Sequence, residues 1–111
     1  MAQKPLQRLA RLPRIRVLGL EVPVAEGPLA RALGLAWLDR QRAGPGLLIP
    51  RCRSVHTFGM RFPLDLIFLD GDLRLLMARA GVPPRRVVGC RHAAAVLELP
   101  STGGEPAGLW A

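Results

Sequence analysis

The side chains of this chain whose chemistry could serve a reaction or a ligand are few: two histidines, two cysteines and eight carboxylates. They gather most densely in Arg51–Asp70, RCRSVHTFGMRFPLDLIFLD, where Cys52, Ser54, His56 and Asp65 surround a Gly59–Met60 bend. Read as extended chain, Cys52, Ser54, His56 and Phe58 share one face, and Arg51, Arg53, Val55 and Thr57 share the other. On a strand Cys52 and His56 stand ~13 Å apart, and Ser54 and His56 ~7 Å. Neither nucleophile can hand its proton directly to the histidine at that range. A hydrolase would have to use His56 and Asp65 as an acid/base pair, brought together across the bend. Cys52, His56, Cys90 and His92 equal a zinc site in number, but their spacings fit neither a finger nor a ribbon. We expect no metal and no cofactor, only two small buried thiols and two locally hydrogen-bonded histidines.

Asp65 stands apart because it interrupts Phe62–Leu69, a run apolar enough to be covered on both faces. A carboxylate there must be paired or hydrogen-bonded, since an isolated buried charge is prohibitively costly. Arg61, Arg53, a backbone N–H group and His56 are the candidate partners. Glu98, in AVLELP, is a second acid in an apolar strand, with a solvent-facing position as the alternative to burial. Phe58, Phe62 and Phe68 are read as core. A ligand site on this stretch would be lined by His56, Thr57, Met60, Arg61 and Asp65.

The elements that must hold these residues can be read along the chain. Residues 1–13 form a loose basic arm broken by Pro5 and Pro13. Arg14–Val22 alternates as one first strand, ended by Pro23. Pro28 suits the first turn of a helix. Leu29, Ala32, Leu33 and Ala36 make an apolar stripe on that helix, which runs to about Leu38. Trp37 is assigned to the core, and Asp39–Gly46 to a polar loop. Gly46–Ile49 is a short buried strand. Asp70–Gly71 signals a hairpin between Phe62–Leu69 and Leu73–Met77. Gly81–Arg86 is a proline-fixed connector, Val87–Val88 a brief strand, Ala93–Leu99 a last one, and 101–111 a turn-rich tail in which Leu109 and Trp110 dock. One domain over 14–100 follows, α+β but mainly β: a small, strongly bent antiparallel sheet, barrel- or sandwich-like, with one short helix.

Composition narrows the partners. At 111 residues the chain suits one modest core. Its net charge of +8 is carried entirely by residues 1–61. Such a half can attract an acidic partner. No tyrosine is present and no aromatic residues interleave with the basic ones in a nucleic-acid pattern, so specific nucleic-acid binding is not expected. No window reaches the ~18–20 apolar residues of a membrane span. The N-terminus lacks a secretory h-region. A bacterial cytoplasmic protein with reduced cysteines is the expectation, its oligomeric state left open.

The segment SVHTFGMRFPLDLIFLD, followed by VPPRR and AVLELP, resembles the DUF192 (UPF0127) family of small, mostly prokaryotic proteins. The residues that carry the likeness are Met60, Pro63-Leu64-Asp65, Phe68-Leu69-Asp70 and Leu97-Glu98-Leu99-Pro100, with weaker landmarks at Gly34-Leu35 and Gly46-Leu47-Leu48. The resemblance implies a compact, mainly β domain with one helix and no established activity. Family members continue beyond Leu-Pro into a Gly-rich turn and a last strand, whereas here Ser101–Gly104 leads only to a short tail.

Three functions compete on these residues. The first is a non-enzymatic module binding a small ligand or peptide near the Gly59–Met60 bend. The second is a structural or accessory protein whose basic half meets an acidic protein partner. The third is a hydrolase using His56 and Asp65.

Overall fold

Two apolar runs form the middle of the fold, and their composition explains why. Strands β5 (Leu64–Leu69) and β8 (Ala95–Pro100) lie side by side at the centre of a four-stranded antiparallel sheet. All six residues of β5 and the first five of β8 are buried, which only strands covered on both faces require. The flanking strands are β3 (Leu47–Pro50), paired to β8, and β6 (Leu75–Val82), paired to β5. A computed structural model describes residues 9–102. The first eight residues of the expected basic arm, and the tail from 103 with Leu109 and Trp110, lie outside the described residues.

Alternation along the two central strands sorts their side chains into two cores. Leu64, Leu66 and Phe68 of β5, with Val96, Leu47 and Ile49, face one side. There they meet Leu35, Leu38, Met60 and Val55, the last on a ribbon of β4 (Ser54–His56) and β7 (Val87–Gly89). Ile67, Leu69, Leu97 and Leu99 face the other side, against Val17 and Val22. The expected mainly β, antiparallel architecture is therefore present. The described strands form three antiparallel sheets, the central four-stranded one open and covered on both faces, closer to a sandwich than to a closed barrel.

Several local readings change. Arg14–Val22 is a hairpin, β1 (Arg14–Val17) and β2 (Leu20–Pro23), and not one strand. Leu18 and Gly19 turn it at φ 49° and 81°, the paired left-handed geometry of a two-residue hairpin loop. Leucine in the first of these positions hides the signal that Asn-Gly or Asp-Gly would carry. The helix α1 (Pro28–Leu33) stops at Gly34, a turn before the expected Leu38. None of its residues is buried, and Leu29 of the expected apolar stripe is 67% exposed. Leu35, Ala36 and Leu38, beyond the helix, enter the core instead.

The stretch read as a polar loop contains a second one-turn helix, α2 (Arg40–Ala43). Asp39 caps it, its Oδ1 accepting the Arg42 N–H at 2.8 Å. At Asp70 the hairpin turns as expected, but over a longer loop. The Asp70 Oδ1 accepts the N–H groups of Asp72 and Arg74 at 2.8 and 3.0 Å. The Arg74 N–H above all holds this carboxyl below its ordinary range. Among the described residues no helix is long and apolar enough to cross a membrane.

Because the core lies on β5 and β8 and not beneath α1, two truncations should differ sharply in urea unfolding. Phe68→Ala, at a fully buried site, is expected to lose ~3–5 kcal/mol. Leu29→Ala is expected to change stability by less than ~0.5 kcal/mol.

Candidate functional site

Glu98 is the polar residue that the central strand cannot avoid placing. It pairs with Leu66 on one side and Leu47 on the other, so its side chain emerges among the apolar groups of the first core. The residue is 3% exposed, so of the two settings open to Glu98 it takes the buried one and not the solvent face. Its Oε1 accepts the Leu35 N–H at 3.2 Å. A Cβ at Gly34 would stand 2.6 Å from the same oxygen and would displace the carboxyl, and the φ of 54° at Gly34 favours glycine there. Burial pushes the Glu98 carboxyl up to about 7, with the Leu35 N–H opposing that rise. Near neutral pH the group therefore exists in both protonation states.

The carboxyl lies on the wall of a cavity of about 210 Å³ between α1, the end of β3 and β4. Arg31, Gly34, Ile49, Cys52 and His56 line it with Glu98. Strand alternation explains the β4 wall: Val55 and Thr57 point into the protein, while Ser54 and His56 remain exposed. The His56 Nε2 lies 3.1 Å from the Ala32 carbonyl oxygen. A carbonyl can only accept, so Nε2 carries the hydrogen. Phe58, expected in the core, is 51% exposed and packs its ring 5.8 Å from that of His56. Arg31 donates to the carbonyls of Pro50 and Arg51, clipping α1 to the end of β3. The Cys52 thiol donates to the Ser54 carbonyl at 3.2 Å.

The five residues of the expected site occupy four different places. His56 lines the Glu98 cavity. Met60 and Arg61 line a separate cleft, Met60 largely buried in the core and Arg61 exposed. Thr57 is fully buried. Its hydroxyl donates to the Pro83 carbonyl at 2.7 Å and accepts the Arg86 N–H at 2.8 Å, fastening the 81–86 connector to the core. Asp65 is 2% exposed, and its Oδ1 accepts the Gly81 N–H at 2.8 Å. This contact sits at a register shift between β5 and β6, where Gly81 is left-handed with φ 63°. Asp65 pairs with Leu99 and Leu66 pairs with Glu98, so the two acids leave the sheet on opposite faces. Glu98 is the residue that sequence reasoning passed over. The signal was the same one that singled out Asp65: an acid inside an apolar run.

Cys52 and Cys90 are free thiols, half-buried at the margin of the first core. His92 is exposed. Among the described residues no three His, Cys, Asp or Glu side chains cluster in a way that could hold a metal ion.

Two measurements check this description. The folded state binds the Glu98 proton more tightly than the unfolded chain does, about 7 against 4.5. Its contribution to stability is therefore complete below pH 4.5 and is lost as pH rises through 7. A fall of roughly 3 kcal/mol across that window is expected from urea unfolding, and Glu98→Gln should flatten it. Thr57→Val strands the Arg86 N–H and the Pro83 carbonyl, and should cost ~1–3 kcal/mol. Thr57→Ser should recover most of that loss.

Comparison with known proteins adds a family and a fold. The DUF192 family model, described as "Uncharacterized ACR", matches residues 13–109. A crystal structure of a protein of unknown function from Novosphingobium aromaticivorans shares the fold, with a TM-score of 0.63 at 19% identity over 92% of this chain and 89% of that one. A second, described as "a putative transcription regulator" from Sinorhizobium meliloti, has a TM-score of 0.62 at 25% identity over 79% of this chain and 78% of that one. No curated protein matches the chain. With the family match running over nearly its whole length, the chain belongs to the uncharacterised DUF192 family.

Proposed function

We propose that this chain is a small-ligand binding module, its site the cavity beside β4 that Glu98 and His56 both line. The observation that supports this reading most directly is Glu98 itself. It is a carboxyl on the central strand, among apolar neighbours, that reaches a cavity wall. At about 210 Å³ the space lies below the ~300–1,000 Å³ of typical small-molecule sites, so the ligand is small. Glu98 accepts hydrogen bonds when ionised and can also donate when protonated. It therefore suits an amino or hydroxyl group, with the Arg31 and His56 side chains at the rim. Thr57 and Asp65 enter the reading as residues that hold the neighbouring backbone, not as ligand contacts. His56 and Asp65 are not used as an acid/base pair, since one bonds the Ala32 carbonyl and the other the Gly81 N–H.

Thermal-shift and calorimetric titration with small amines, polyols and free amino acids tests the reading. A cationic amine is expected to raise Tm and to bind more tightly as pH rises through about 7, where Glu98 ionises. Glu98→Gln should abolish that pH dependence, and His56→Ala should weaken binding. A panel in which no compound shifts the wild-type protein, or in which Glu98→Gln binds as well as wild type, sinks the proposal.

A further inference from the structure

A second cleft, of about 570 Å³, shares no lining residue with the Glu98 cavity. Trp37, Gly59, Met60, Arg61, Pro84 and Arg85 line it, brought together from three separated segments of the chain. Trp37, read from the sequence as core, is 58% exposed. It is nevertheless held firmly. Its backbone N–H donates to the Gly59 carbonyl at 2.9 Å, and its indole lies so close over Gly59 that a Cβ there would stand 3.0 Å from the ring. Trp37 and Arg85 both have φ 69°, two of the five left-handed non-glycine residues in the described chain. Such backbone is unfavourable for a side-chain-bearing residue and concentrates at functional sites. The Arg85 N–H is anchored in turn to the Thr57 carbonyl at 3.3 Å. Among the described residues, the only ion pairs are Arg14–Glu21 and Arg42–Asp39. The Arg61 and Arg85 guanidinium groups therefore have no carboxylate partner among the described residues.

We infer that this cleft binds a nucleotide unit, the base stacking on the Trp37 indole and the phosphate meeting Arg61 and Arg85. A fixed, exposed aromatic face is a platform that any base can use. Two uncommitted guanidinium groups beside it supply the planar, charge-assisted donors that phosphate oxygens accept. An acidic peptide would satisfy the arginines but leave the ring without a flat partner. The linear sequence hides the arrangement, because Trp37, Arg61 and Arg85 belong to no continuous motif.

The test uses the full chain carrying Trp110→Phe, in which Trp37 is the sole indole. Its fluorescence is titrated with adenosine monophosphate, with a short single-stranded oligothymidylate and with an oligoglutamate peptide. Saturable quenching by the mononucleotide identifies a free-nucleotide site, and quenching by the oligonucleotide alone identifies a strand-binding site. Either result supports the inference. In calorimetry, Trp37→Ala is expected to weaken binding at least about fivefold, the loss of one stacked base. The double variant Arg61→Ala, Arg85→Ala should reduce the salt dependence of oligonucleotide binding by a log–log slope of about 0.7 for each phosphate contact removed. Quenching by oligoglutamate with none by either nucleotide ligand overturns the inference. So does unchanged affinity in a Trp37→Ala protein whose circular dichroism matches wild type.

Discussion

A carboxyl group on the middle strand of a four-stranded sheet has to be answered by a donor, and here that donor is the Leu35 N–H. Much of the surrounding architecture follows from this contact. Gly34 packs against the Glu98 carboxyl with a φ that favours glycine, and the left-handed turn there ends α1. The same turn drops Leu35 and Leu38 into the core and leaves Trp37 outside it. Trp37 then lies over Gly59, joining the end of the helical segment to the bend of the central stretch. A hydrogen bond to a charged group contributes more than a neutral one, ~1.5–3 kcal/mol. One such bond does not offset full burial of a carboxylate, which is why the Glu98 proton is held up to about 7.

Thr57 and Asp65 show the same logic within the central stretch. Each is buried, and each directs its polar atoms at backbone groups of the return segment from Gly81 to Arg86. That segment contains Pro83 and Pro84, which have no N–H to offer a ladder, so side chains must fasten it. Among the described residues no buried side-chain nitrogen or oxygen is left without a partner. Three buried polar residues thus act as clasps between elements that apolar packing alone would leave free to slide.

Much of the β framework was legible in the sequence. The runs LLIP, LDLIFL and AVLELP announced β3, β5 and β8 because strands buried on both faces read as continuous apolar segments. The Val55/Thr57 and Ser54/His56 alternation was visible for a related reason, since the period of two is built into extended chain. The elements that escaped were those where the backbone goes left-handed on an ordinary residue. Leu18 turns the first hairpin with no Asn-Gly or Asp-Gly to mark it. Trp37 carries its indole outward through a conformation that composition does not announce. The apolar stripe on α1 had the right period but no surface waiting for it, and periodicity cannot say what a face will meet.

The sequence by itself determined the family, the mainly β antiparallel class and the positions of the central strands. Those depend on local patterning and on motifs that survive in linear order. Only the tertiary structure decided which of the two buried acids reaches a cavity. Asp65 and Glu98 read alike in sequence, each an acid inside an apolar run. The pairing of β5 with β8 sends one to the Gly81 bulge and the other to the cavity beside His56. Register sets that difference, because a one-residue step along a strand exchanges the faces of a sheet.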